Sequence, residues 1–115
     1  MANAVNYSKY FDAQELTVTT EVDLFTLALN PSTGVIKNLS IMVVVNGTGS
    51  NLEAWIIPNG GSSGDSNVFI PNEAFSAART IVTMPDMKAG DKLTVKAGTA
   101  NELTIHPVGG LTLTS

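Results

Sequence analysis

The side chains able to do chemistry in this sequence are few and scattered. Oxygen donors gather once, at Asp65, Ser66 and Asn67 directly after Gly60-Gly61-Ser62-Ser63-Gly64. Calcium takes six or more oxygens, several of them carboxylates, so one carboxylate in a single such loop reads as a turn. His106 is the sole imidazole and adjoins Pro107, which leaves it no second His with which to share a metal. No Ser stands in a nucleophile signature with an Asp. Glu21 with Asp23, and Asp86 with Asp91, have the residue types of an acid pair, yet both pairs fall in turn or solvent-facing positions and read as solvated. Trp55 and Phe25 could stack on a sugar, but a lone Trp inside a strand reads as core. Asn38-Leu39-Ser40 and Asn46-Gly47-Thr48 match the glycosylation sequon; the N-terminus has neither a basic segment nor an apolar one behind it, so the matches carry no expectation of a glycan. The chain has no Cys, which excludes disulfides, thiolate metal sites and thiol nucleophiles. These residues predict no catalytic group, no metal and no cofactor.

The elements that would position them are strands. Leu52-Glu53-Ala54-Trp55-Ile56-Ile57 alternates with period two, Leu52, Ala54 and Ile56 on one face and Glu53, Trp55 and Ile57 on the other, and Pro58 ends it. The Gly- and Ser-rich run behind Pro58 has nothing to pack and belongs at the surface. Upstream, Glu15 to Thr20 alternates as a strand with one wet face, and Val22 to Leu29 reads as a second. Asn30 to Gly34 is a loop, because Pro31 forces Asn30 extended. Val35 to Asn46 is a long apolar run rich in β-branched residues, which favours a buried central strand. Asn46 to Asn51 turns the chain, so this run and Leu52 to Ile57 are expected to form a hairpin at the centre of a sheet. Val43, Val45, Leu52, Ala54 and Ile56 are the predicted core.

Downstream, Val68 to Pro71 reads as a short strand, and Asn72 to Ala78 as a loop or one helical turn. Arg79 to Met84 is a strand ended by Pro85, and Met87 to Asp91 a turn with Gly90 left-handed. Lys92 to Ala97 alternates charge outward and apolar inward. Glu102 to His106 and Leu111 to Leu113 are two final strands. Seven or eight short strands separated by turn signals predict an all-β, single-domain antiparallel β-sandwich, jelly-roll-like. Residues 1–14 lack the period and form an N-terminal arm; residues 15–115 form the sandwich domain.

Composition narrows the partners. At 115 residues the chain is long enough for one core and too short for two. A net charge of -4 with only six scattered Lys and Arg argues against nucleic acid. No apolar run reaches the ~18 residues of a membrane span. Only 14% of residues are charged, against the roughly 25% usual for soluble domains, a surface suited to permanent contact with other proteins. The arm concentrates Tyr7, Tyr10 and Phe11, aromatic side chains of the type enriched where proteins meet; these are the candidate assembly contacts.

Three stretches carry a resemblance: Ile57 to Asn67, Lys88-Ala89-Gly90-Asp91-Lys92-Leu93-Thr94-Val95-Lys96-Ala97, and Thr99-Ala100-Asn101-Glu102-Leu103-Thr104-Ile105. Over residues 24 to 113 the chain resembles small all-β virion structural proteins of tailed bacteriophages. It departs from them at Pro31-Ser32-Thr33-Gly34, where Pro-Ala-Gly is usual, and the arm lies outside the resemblance. The resemblance implies a non-enzymatic virion component made in the host cytoplasm: a capsid decoration (cement) protein, or a neck, tail or baseplate accessory protein. Its partners would be the major capsid protein or tail and neck proteins, together with further copies of itself in a homo-oligomer. A carbohydrate-binding module is the alternative from another class; it would present two or more coplanar exposed aromatics.

Overall fold

The computed structural model describes residues 4–6, 12–27, 34–88 and 90–114. They form ten strands: β1 (Ala4–Asn6), β2 (Gln14–Glu15), β3 (Val22–Thr26), β4 (Gly34–Val45), β5 (Ser50–Ile57), β6 (Val68–Phe75), β7 (Arg79–Thr83), β8 (Met87–Lys88), β9 (Lys92–Ala97) and β10 (Leu103–Thr114). Seven of them have five residues or more.

The strands make two antiparallel sheets. One runs β1-β10-β4-β7, with β2 also on β10 and β8 also on β4; the other runs β3-β9-β5-β6. β1 and β2 border β10 in turn, opposite Thr112 to Thr114 and opposite Thr104 and Ile105. β7 and β8 border β4 in the same manner, separated by Met84-Pro85-Asp86 because Pro85 has no N–H to give a ladder. Eight lanes result, and their pairing is nested: β2 with β10, β3 with β9, β4 with β7 and β5 with β6. That nesting, divided over two sheets, is a jelly roll, and the fold is an all-β antiparallel sandwich.

The core lies between the sheets. Ile41, Val43, Leu103 and Ile105 project from the first sheet; Leu52, Ala54, Ile70, Leu93, Val95 and Ala97 meet them from the second, and Leu16, Phe75, Met84 and Met87 complete the cluster. Val43, Leu52 and Ala54 of the predicted core are fully buried, while Val45 and Ile56 pack half-buried against it. Trp55 and Ile57 are buried on the opposite face of β5, so both faces of that strand are covered.

Four local expectations change. β4 and β5 are not a hairpin: each pairs only within its own sheet, and the 46–49 turn is an arch that carries the chain across the sandwich. The 14–20 region pairs only at Gln14 and Glu15; Leu16 enters the core and Val18 is exposed, so the alternation there belongs to a loop. β6 continues past Pro71 to Phe75, through a left-handed Asn72 (φ 54°) where its register on β5 shifts. The two final strands are one, because β10 runs unbroken along β4 from Leu103 to Thr114.

Candidate functional site

The roll has two ends, each a cluster of loops. At one end Glu102 draws the neighbouring loops together. Its Oε1 accepts from the Thr48 N–H at 2.6 Å, the Gly49 N–H at 2.8 Å and the Thr48 hydroxyl at 3.3 Å. The Asn46 N–H donates to the Glu102 carbonyl at 2.7 Å, and the Asn101 N–H to the Leu16 carbonyl at 2.8 Å. The Gly49 N–H does most to hold the Glu102 carboxyl below its ordinary range; loss of water opposes it, and the Thr48 N–H and hydroxyl add to it. A Cβ on Gly47 would meet both carboxylate oxygens at 2.8 Å, and one on Gly49 (φ 110°) would collide with the Phe75 carbonyl. The two glycines of the arch therefore admit the carboxylate and the close chain crossing.

At the other end lie the 58–67 loop and the turn at Gly90 and Asp91 that follows β8. The Leu27 N–H donates to the Asp91 carbonyl at 2.9 Å and the Gly90 N–H to the Leu27 carbonyl at 2.7 Å. Gly90 takes a φ of 89°, as its turn requires. In the Gly and Ser loop the Asn67 amide donates to the Ser62 carbonyl at 2.7 Å and the Asn67 N–H to the Gly64 carbonyl at 3.0 Å. The loop closes on itself, with Ser62, Ser63, Asp65 and Ser66 exposed.

The residues with chemical potential serve as structure. Asp91 caps its turn by accepting from the Lys88 N–H at 2.9 Å, and Asp23 faces Lys92 at 3.5 Å. Among the described residues no three of His, Cys, Asp and Glu come together around a point where an ion could sit. Trp55 is 7% exposed and Phe25 is half-buried against the core, so neither offers a flat ring to a ligand. Tyr7, Tyr10 and Phe11 lie outside the described residues; the segments on either side of them, β1 and β2, both border β10. Glu102 went unmarked in the sequence because its partners stand more than fifty positions away.

What remains are surfaces, and the outer faces of the two sheets differ. On the second sheet Glu53 lies directly opposite Lys96 and Asp23 pairs with Lys92, while Trp55, Ile57 and Thr94 on the same face are buried. On the first sheet the register sets three rows across β7, β4 and β10: Arg79-Val44-Thr104, Ile81-Met42-His106 and Thr83-Ser40-Val108. Met42, Val44, His106 and Val108 are half-buried and Ile81 is 62% exposed. Val44, Met42, Ile81 and Val108 place apolar side chains on this face among Ser40, Thr83, Thr104 and His106, with Arg79 at one margin and Glu15, opposite Thr104, at the other.

No family model matches the chain, and no curated protein does. Solved structures do. A chain of the structure of infectious bursal disease virus Gx strain is similar over 99% of this chain, with a TM-score of 0.55 and 13% identity. A chain of the infectious bursal virus derived T=1 particles matches over 97%, with a TM-score of 0.52 and 12% identity. The D431N mutant VP2 protein of infectious bursal disease virus, also from derived T=1 particles, matches over 97% at 0.50 and 13%. The likeness is one of fold. This chain spans about a third of the length of those it matches, 32%, 31% and 31%.

Proposed function

We propose that the chain is a non-enzymatic structural component of a bacteriophage virion, a capsid decoration (cement) protein that works as a homo-oligomer on the major capsid protein. The observation that carries this reading is the outer face of the β10-β4-β7 sheet, where Met42, Val44 and Val108 lie half-buried and Ile81 is 62% exposed. Surfaces of that kind mark contact with other proteins, and jelly rolls recur among viral capsid domains. The similarity in fold to chains of infectious bursal disease virus and its T=1 particles supports the same class. Fold alone does not assign function, so the proposal stands on the face together with the sequence resemblance to phage virion proteins. The arm, residues 1–14, is proposed as the attachment element of the 15–115 domain, through Tyr7, Tyr10 and Phe11. Synthesis in the host cytoplasm and residence in the virion follow from this role, with no nucleic acid or membrane partner.

A neck, tail or baseplate accessory protein would use the same face and arm. A carbohydrate-binding module fits less well, since Trp55, Phe75 and Phe25 are drawn into the packing. Mass spectrometry of purified particles combined with an averaged virion map tests the proposal. Density for a small β-sandwich on the capsid exterior is the expected outcome; absence of the chain from purified particles refutes the virion role.

A further inference from the structure

The edges of the two sheets are not alike. β6 contains Pro71 and the left-handed Asn72 and shifts register twice against β5. β3 shifts register between Asp23 and Phe25. β1 and β2 have three and two residues. Interruptions of these kinds blunt an edge against pairing with another chain. β7, Arg79-Thr80-Ile81-Val82-Thr83, has none of them: five residues in regular register, without Pro or Gly, at the margin of the first sheet.

The direction of its backbone groups follows from one bond. The Val45 N–H donates to the Ala78 carbonyl at 3.1 Å, and in an antiparallel ladder residues alternate between bonding the partner strand and facing away from it. Ala78, Thr80 and Val82 therefore bond β4, whereas Arg79, Ile81 and Thr83 turn both N–H and C=O to the open edge. Ile81, the middle one, is also 62% exposed, one of two large apolar side chains so placed among the described residues.

We propose that β7 pairs with β7 of a second copy of this chain, antiparallel and centred on Ile81, which joins two first sheets across a two-fold axis. The inference rests on the homo-oligomer part of the proposed function and supplies its surface. In this register Ile81 faces its own counterpart, and Arg79 faces the counterpart of Thr83. Every outward N–H and C=O of the three residues then has a partner. The two arginines stand at opposite ends of the ribbon, about 13 Å apart along the strand. Shifting the pairing by one step in either direction leaves one of the three residues unpaired, and a further step sets Arg79 against Arg79 or Thr83 against Thr83. Every antiparallel pairing of a strand with its own copy is two-fold symmetric; the centred register is the one that pairs all three outward residues without setting like charges opposite each other. It also runs the row His106-Met42-Ile81 into its symmetry copy and covers the most exposed side chain of that row.

The test is self-association of the intact chain, followed by sedimentation across a concentration series and by amide hydrogen exchange at both ends of it. The Thr80 and Val82 amides are protected throughout, while those of Arg79, Ile81 and Thr83 become protected only in the associated form. Ile81→Lys and Ile81→Glu each weaken self-association about tenfold or more, because like charges then lie directly opposite, and mixing the two variants restores it. At concentrations low enough for the parent to be a single copy, both variants keep its melting temperature, since the position is exposed there. If the chain associates while those three amides stay unprotected, the surface is wrong and the homo-oligomer stands. If it sediments as a monomer at every concentration, both fall. Presence on particles is read separately and is untouched by either result.

Discussion

The Thr94 hydroxyl is fully buried, lies directly across the ladder from Trp55 and has no hydrogen-bond partner among the described residues. An unpaired buried hydroxyl costs about 1–3 kcal/mol, and Val has nearly the same shape. Thr94→Val is therefore expected to stabilise the fold by roughly 1 kcal/mol in urea unfolding; a loss of that size would show that the hydroxyl is bonded. Glu102 behaves oppositely, as a polar group whose Oε1 accepts three hydrogen bonds. Its folded pKa is lowered relative to the unfolded chain, so its contribution is present above the unfolded value and is lost as pH falls through the folded one. The melting-temperature gap between the parent and Glu102→Gln should be widest near neutral pH and close as the solution is acidified towards pH 3; a gap independent of pH would assign the effect to shape rather than charge. Neither residue was legible in advance. Thr94 looked like one polar step in a charged alternation, and Glu102 acts on residues that only the fold brings near.

At the scale of elements, period two located the strands well, because each long strand has one face in the core, as Leu93, Val95 and Ala97 do in β9. What period two does not encode is which sheet a strand joins. Asn46-Gly47-Thr48-Gly49 has hairpin composition, yet a hairpin and an arch both need glycine, and here the 46–49 turn is bound to Glu102, which stands immediately before β10. β6 was cut short for a related reason: Pro71 to Ala74 are all exposed, so no alternation survives to be read. The two glycine turns give a paired prediction. Gly49 and Gly60 both have positive φ, but a Cβ on Gly49 strikes the Phe75 backbone while one on Gly60 meets nothing within 4 Å. Gly60→Ala should cost only the left-handed penalty of about 1 kcal/mol, and Gly49→Ala about 3 kcal/mol or more, since the crossing chain must also shift. Equal costs in chemical denaturation would mean that the arch opens freely.

For the whole molecule the division of labour between sandwich and arm is the question with a decisive experiment. Among the described residues the buried core begins at Leu16, and β10 is held along its length by β4, from Leu103 opposite Val45 to Thr114 opposite Gly34. The described part of residues 2–11, Ala4–Asn6, contributes to that sheet the three pairs of β1, at the margin of β10. An edge of three residues adds little to a ladder already paired on its other side, whereas Val43→Ala, in the packed centre, should cost about 1–3 kcal/mol. Deleting residues 2–11 is accordingly expected to lower the melting temperature by less than about 5 °C, the shift produced by roughly 1 kcal/mol in a chain of this size. Three aromatics are a different matter at an interface, where each buries about 150–250 Å². The same truncation should therefore abolish incorporation into particles while leaving a folded domain. A truncated chain that melts many degrees lower, in step with Val43→Ala, would place Tyr7, Tyr10 and Phe11 in the domain's own packing and remove the arm as the means of attachment.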